Sequence, residues 1–284
     1  MAPVKQAASS VDHYENFPVA SWLCPPALRP AVVAIYHFAR TADDIADEGD
    51  APAAERLADL ATFQADLTCA ARGQAGSGRW PQVFGPLADA IARYRLPVSL
   101  LADLLSAFAQ DVEKNRDGAG YADDTELLDY CRRSANPVGR LLLHLYGVDD
   151  ARSLGQSDAI CTALQLVNFW QDLSVDLPRG RCYLPEDARR AHGVAAEDLR
   201  ARRQTPEATR LIAAQVARAR ALMHAGAPLA RRLPGRAGWE LRLVVQGGLR
   251  IAEKIEQLGF ATLHARPTLA RGDAPRLFWR ALQM

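Results

Sequence analysis

An all-α helical bundle is the fold class this sequence predicts. Apolar residues recur at three and four positions through most of the chain, and Ala, Leu and Arg dominate while β-branched runs stay short, as helices packed on helices require. With 284 residues, 49% of them hydrophobic and 24% charged, the chain has a globular balance and enough material for a large core. No charge run, low-complexity linker or repeat of fixed period marks a boundary, so one domain over residues 1–284 is expected.

The elements follow in order. Leu28 to Asp47 reads as a first helix, because Val32, Ile35, Tyr36 and Ala39 share a stripe and Pro30 sits where a first turn tolerates it. Pro52 to Arg72 reads as a second, and Gly73 to Gly78 (GQAGSG) as a loop. Further helices are expected over Trp80 to Arg95, Pro97 to Lys114, Asp124 to Tyr146, Gly155 to Asp176, Pro206 to Leu233 and Gly238 to Leu258. Leu177 to Asp187 (LPRGRCYLPED) reads as a turn or loop. Gly247 and Gly248, inside a helical pattern, cost about 1 kcal/mol each relative to Ala; they suggest a break or a close approach.

Composition also excludes classes. A net charge of +1 and a pI near 7.7 give no global basic field, so nucleic acid is a poor partner. Cys24, Cys69, Cys131, Cys161 and Cys182 are scattered without a CxxC pair, and none of His13, His37, His144, His192, His224 and His264 stands at a metal-ligand spacing. A reducing cytoplasm is expected. The N-terminus lacks the apolar core of a signal peptide and no stretch reaches the roughly 18 apolar residues of a spanning helix, so any membrane contact is expected to be peripheral.

Two segments carry chemistry. In YHFARTADDIADEGD, Asp43 and Asp47 are four apart and lie on one helical face, with Tyr36 and Arg40 on the same stripe. Like charges at that spacing, near a helix C-terminus whose dipole disfavours anions, need compensation. A divalent cation such as magnesium supplies it, since it takes hard carboxylate oxygens; a solvated acidic helix end is the plainer reading of that cluster alone. In QLVNFWQDLSVD, Gln165, Asn168, Asp172 and Asp176 step along one face through an apolar segment, and burying such groups unpaired costs several kcal/mol; a surface stripe with core on the other side is the alternative. Arg179, Arg181 and Tyr183 follow in the next loop, where arginine forks match phosphate oxygens; capping the preceding helix is the alternative.

Taken together, these two segments resemble the paired aspartate-rich signatures of the squalene/phytoene synthase family of head-to-head prenyl transferases. The resemblance implies an all-α isoprenoid synthase bundle with a central cavity, a prenyl diphosphate substrate and about three magnesium ions on its diphosphate, with no nicotinamide cofactor, since no GxGxxG fingerprint is present. It implies metal binding by Asp43, Asp47, Asn168, Asp172 and Asp176, diphosphate contact by Arg40, and cavity-facing positions for Tyr36, Tyr130, Gln165 and Tyr183. Asp44 and Glu48 are expected to support the first motif.

HYENFPVAS (His13 to Ser21) and YCRRSANPVGR (Tyr130 to Arg140) depart from the condensing members of the family. They resemble the branch that converts presqualene diphosphate and water to hydroxysqualene and diphosphate, in squalene and hopanoid biosynthesis. In that reading Asn136 positions the capturing water; filling the kink made by Pro137 is its structural alternative. Condensation of two prenyl diphosphates is the second expectation, and a non-catalytic module binding a diphosphate or assembling with pathway partner enzymes the third.

Phe38, Leu141, Leu142, Leu145, Leu166, Phe169 and Val245 are candidates for the cavity wall, with plain core the first reading of each. The tail Arg276 to Met284 reads as a helix that docks on the bundle or lies at a lipid interface.

Overall fold

The computed structural model describes residues 24–233 and 235–284. The segment His13 to Ser21 therefore lies outside the described residues. Among those described there are fourteen α-helices and no strand, and no helix is long and apolar enough to cross a membrane.

Helix α1 (Arg29–Asp47) starts on Pro30 and buries Ala31, Ala34, Ile35, Phe38, Ala42 and Ala46 on one stripe. Its alanines let it lie close to α3 (Pro81–Tyr94) and α4 (Val98–Asp117), with α2 (Ala53–Ala71) alongside. The layer is fixed by an aromatic cluster in which Phe63 meets Phe38, Trp80 and Phe84 at ring separations of 5.2, 4.9 and 4.6 Å. Gly118, at φ 61°, ends α4 in the left-handed conformation that glycine adopts without penalty.

The expected helix Asp124 to Tyr146 is two. α5 (Asp124–Ser134) and α6 (Asn136–Leu145) break at Ala135, φ −119° and ψ −47°. Pro137 has no N–H to give the carbonyl four residues back, and its ring crowds the preceding turn.

The central helix α7 (Ala151–Gln171) starts one turn before the expected Gly155, capped by Asp150, whose carboxylate accepts the Ser153 N–H at 3.0 Å. It is buried on several faces, through Ile160, Ala163, Leu166, Val167, Phe169 and Trp170, as a helix enclosed by neighbours must be. α6, α11 (Pro206–Gly226) and α13 (Gly235–Gln257) pack on it. The expected helix Pro206 to Leu233 stops at Gly226, before Pro228, and resumes as the short α12 (Leu229–Arg232). α13 runs unbroken through Gly247 and Gly248, so these are not a helix break. Gly248 is a close approach instead: a Cβ there meets Met223 Cε at 2.7 Å and Leu164 Cδ2 at 2.8 Å.

The expected helix Gly155 to Asp176 also breaks, at Asp172 (φ −99°, ψ 10°), and continues as the single turn α8 (Leu173–Asp176). Leu177–Arg179 forms a 3-10 turn that Gly180 closes at φ 80°. The Leu177 to Asp187 segment is thus loop only as far as Pro185, since α9 (Glu186–Ala191) begins inside it; α10 (Ala196–Arg200) follows. The tail is α14 (Ala274–Gln283), which docks on α13: Phe278 stacks on Trp239 at 6.3 Å, and Arg276 and Arg280 both pair with Glu253.

Candidate active site

A cavity of about 780 Å³ runs between α1, α6, α7, α12 and α13. Its walls are mostly aliphatic, among them Val32, Ile35, Leu142, Ile160, Leu164 and Leu241, and one end carries Tyr36, Arg40, Asp43, Gln165 and Asn168. The two sequence motifs therefore meet at one polar mouth. Of the expected wall residues only Leu142 lines the hollow; Phe38, Leu141, Leu145, Leu166, Phe169 and Val245 are core, because their positions turn into the helix interfaces behind it.

The local chain path explains how the motifs meet. Beyond Asp172 the backbone ladder still holds, the Asp176 N–H donating to the Asp172 carbonyl at 2.9 Å, so the two carboxylates stay one turn apart. The 3-10 turn and Gly180 then reverse the chain, with the Arg181 N–H donating to the Asp176 carbonyl at 3.0 Å. That reversal delivers the Arg181 guanidinium to Asp47 across the mouth, in a bidentate pair with N–O distances of 2.8 and 2.9 Å. Arg179 is exposed, near enough to Asp176 to pull its carboxyl down.

Arg40 is saturated by its own helix: it reaches Asp43 at 3.3 Å and both Asp44 and Glu48 at 2.8 Å. Asp44 and Glu48 thus support the first motif through Arg40. Asp172 is held by Arg266, a residue that sequence reasoning missed because it lies in an irregular stretch without periodicity.

Asp111 on α4 was missed as well. It lies four residues after Ala107 and seven after Leu104, on the buried stripe of its helix, and an acid on an apolar stripe is itself a signal. Its carboxylate accepts the Tyr130 O–H at 2.6 Å. Tyr130 in turn belongs to an aromatic stack in which Tyr183 lies flat on Phe169, 3.8 Å apart and 6° from parallel, with Tyr121 next to it. Tyr130 and Tyr183 are thus beside the mouth rather than in the wall. Burial, then the nearby Asp111, hold both phenols well above their usual range, so they remain donors.

Asn136 does not line the cavity. It is buried, and its Oδ1 accepts the Thr162 hydroxyl at 2.9 Å, tying the start of α6 to α7 at the break Pro137 imposes.

The electrostatics are lopsided. Burial, reinforced by Asp47, pushes Asp43 up to about 6; burial, reinforced by Asp172, pushes Asp176 up to about 6; and burial pushes Asp111 up to about 7 despite its bond from Tyr130. Asp47 raises all three, which puts the carboxylates of α1, α4 and α8 within one field. Arg40 and Arg181 do not cancel it. Among the described residues no three acid, His or Cys side chains form a closed metal cage. Magnesium needs none: it typically takes one or two carboxylates and completes its shell with water and substrate phosphate. Hard oxygen donors short of positive charge fit such an ion.

The squalene/phytoene synthase family model matches residues 11–273. Hydroxysqualene synthase of Sinorhizobium fredii is 36% identical over 242 residues, covering 85% of this chain and 78% of the relative. Phytoene synthase of Thermus thermophilus is 34% identical over 276 residues, covering 95% and 88%. The crystal structure of squalene synthase HpnC from Alicyclobacillus acidocaldarius superposes with a TM-score of 0.79 at 38% identity, covering 87% of this chain and 90% of that one. A dehydrosqualene synthase structure reaches 0.77 at 18% identity, covering 90% and 86%, a likeness of fold alone. The fold is that of the all-α isoprenoid synthases, and the chain belongs to the squalene/phytoene synthase family.

Proposed function

We propose that this chain converts presqualene diphosphate and water to hydroxysqualene and diphosphate, with magnesium. The observation that carries the reading is the mostly aliphatic cavity that carries Arg40, Asp43, Gln165 and Asn168 of the two motifs at one end, with Asp47 and Arg181 paired one turn beyond Asp43. At about 780 Å³ it stands high in the range of roughly 300–1,000 Å³ for small-molecule pockets, and apart from Glu240 its charged lining, Arg40 and Asp43, lies at the motif end. That suits an extended hydrocarbon bearing one anionic head. Hydroxysqualene synthases at 36% and 35% identity, from Sinorhizobium fredii and Rhodopseudomonas palustris, support the finer choice, as does the SANPVG step.

In this reading Asp43 and Asp47 on one side, and Asn168, Asp172 and Asp176 on the other, hold magnesium. Bound there, magnesium supplies positive charge to the diphosphate oxygens as the carbon–oxygen bond breaks. Arg40 and Arg181 exchange their carboxylate partners for the same oxygens, which draw both guanidinium groups toward the leaving group. The carbocation rearranges against mostly aliphatic walls, and water adds its oxygen and gives up its proton to the released diphosphate. Of the two amides that face the cavity, Gln165 lies outside the metal-binding set, so it orients that water in preference to Asn136, whose oxygen Thr162 occupies.

Product analysis by mass spectrometry tests this. Presqualene diphosphate as sole substrate is expected to give hydroxysqualene, and labelled farnesyl diphosphate alone nothing. Gln165→Ala is expected to divert the cation to elimination products. Turnover of farnesyl diphosphate alone would instead establish the condensing activity, which the Thermus thermophilus phytoene synthase relative supports.

A linked prediction concerns pH. A carboxyl raised from its usual value near 4 to about 6 or 7 binds more protons in the folded than in the unfolded chain between those limits, so stability falls as pH rises through that window. Metal-free protein is expected to melt higher at pH 5.5 than at pH 8. Added magnesium, which competes with those protons, is expected to raise the melting temperature more at pH 8. Scanning calorimetry at both pH values checks it; a melting temperature that rises with pH without metal contradicts it.

A further inference from the structure

From the corner of α12, α13 and α14 we infer that this face docks the protein on an anionic lipid surface. α14 is held to the bundle by Ala281, by the Glu253 pairs and by one face of the Phe278 ring on Trp239, yet Phe278, Trp279 and Leu282 remain exposed at 57, 62 and 47%. They stand three and four residues apart, on one side of the helix. Docking on the bundle uses part of Phe278 and gives no structural need for Trp279 and Leu282 beside it in water, and Trp and Phe are the side chains that settle at a lipid headgroup boundary.

The charge around the patch selects the occupant. From Arg231 to Arg242 the chain carries four arginines against Glu240 alone, and Arg231, Arg232, Arg236, Arg271 and Arg276 are exposed. Arg231 bonds the carbonyl of Met284, which brings the basic run of α12 against the end of α14. An apolar helix face rimmed by arginine matches acyl chains under anionic headgroups. Position adds a consequence: Leu229, Leu233, Ala237 and Leu241 at the far end of the cavity pack in one cluster with Met284. If the substrate proposed above is correct, a hydrocarbon leaving by that end passes into lipid. The docking itself does not depend on that reading.

Flotation of the full chain with vesicles tests it. Protein is expected to float with phosphatidylglycerol/phosphatidylcholine vesicles, to stay behind with pure phosphatidylcholine, and to be released by salt. Phe278→Ser/Trp279→Ser/Leu282→Ser is expected to lower the bound fraction at least about tenfold with unchanged melting; if it melts early, Trp279→Ser alone carries the comparison. Arg231→Gln/Arg236→Gln is expected to weaken binding to the anionic vesicles only. The inference is overturned if the parent floats with neither vesicle, if the serine variant floats like the parent, or if the parent is a dimer that the serine variant splits and neither floats, which makes the face a protein interface.

Discussion

Asp43→Asn is expected to cut turnover by about 10²–10³-fold or more while leaving the metal-free fold as stable as the parent, or more stable. The two halves of that expectation have one cause. Asp43 pays for its charge through burial and through Asp47 one turn away, and is pushed up to about 6; an isosteric amide removes that penalty and with it an oxygen anion for the cation. Asp172→Asn is expected to lose turnover to a similar extent but to melt lower, because Arg266 loses a charged partner in a half-buried pair, worth about 1 kcal/mol. Diphosphate release at saturating substrate and calorimetry of both variants check this. Retention of more than about a tenth of parental turnover by a folded Asp43→Asn would remove the first motif from the chemistry.

What the sequence made visible was what a period reveals. Asp43 and Asp47, and Gln165, Asn168, Asp172 and Asp176, were legible because a repeat of three and four places them on one face whatever surrounds them. Arg181 was legible by adjacency to Asp176, though its bidentate grip on Asp47 was not, since that depends on a chain reversal at Gly180. The break at Asp172 has no local cause in composition, Pro178 coming six residues later. The helices α9 and α10, six and five residues long, fall below the length at which periodicity separates a helix from a loop. The SANPVG step draws attention to Asn136 and Pro137 marks a kink; the structure gives the asparagine to the kink, through Thr162. Arg266 had no signal at all, because its meeting with Asp172 spans 94 residues and an irregular approach.

The crossing of α7 and α11 carries the second large expectation, Gly226→Ala. α7 holds the second motif, so whatever sets its height against α11 sets the distance across the mouth. At Gly226 a Cβ meets the Gln156 carbonyl oxygen at 2.6 Å and the Ile160 amide nitrogen at 3.0 Å, both backbone atoms of α7 that cannot rotate aside. One methyl must therefore push two helices apart, and overpacking of this kind costs about 1–3 kcal/mol, toward the upper end where backbone is the obstacle. For a protein of this size that lowers the melting temperature by about 2–4 °C per kcal/mol. Gly155→Ala, in the second turn of α7 with nothing within 4 Å of the added carbon, is the matched control, and is expected to stabilise by about 0.5–1 kcal/mol. Because the strain at Gly226 displaces Ile160 and Leu164 in the cavity wall together with Gln165 and Asn168 beyond them, Gly226→Ala is expected to lose turnover below its own melting point, while Gly155→Ala keeps it. Equal melting temperatures for the two variants would mean that α7 and α11 slide past each other freely, and a mouth built on a sliding helix could not hold carboxylates and arginines at fixed separations.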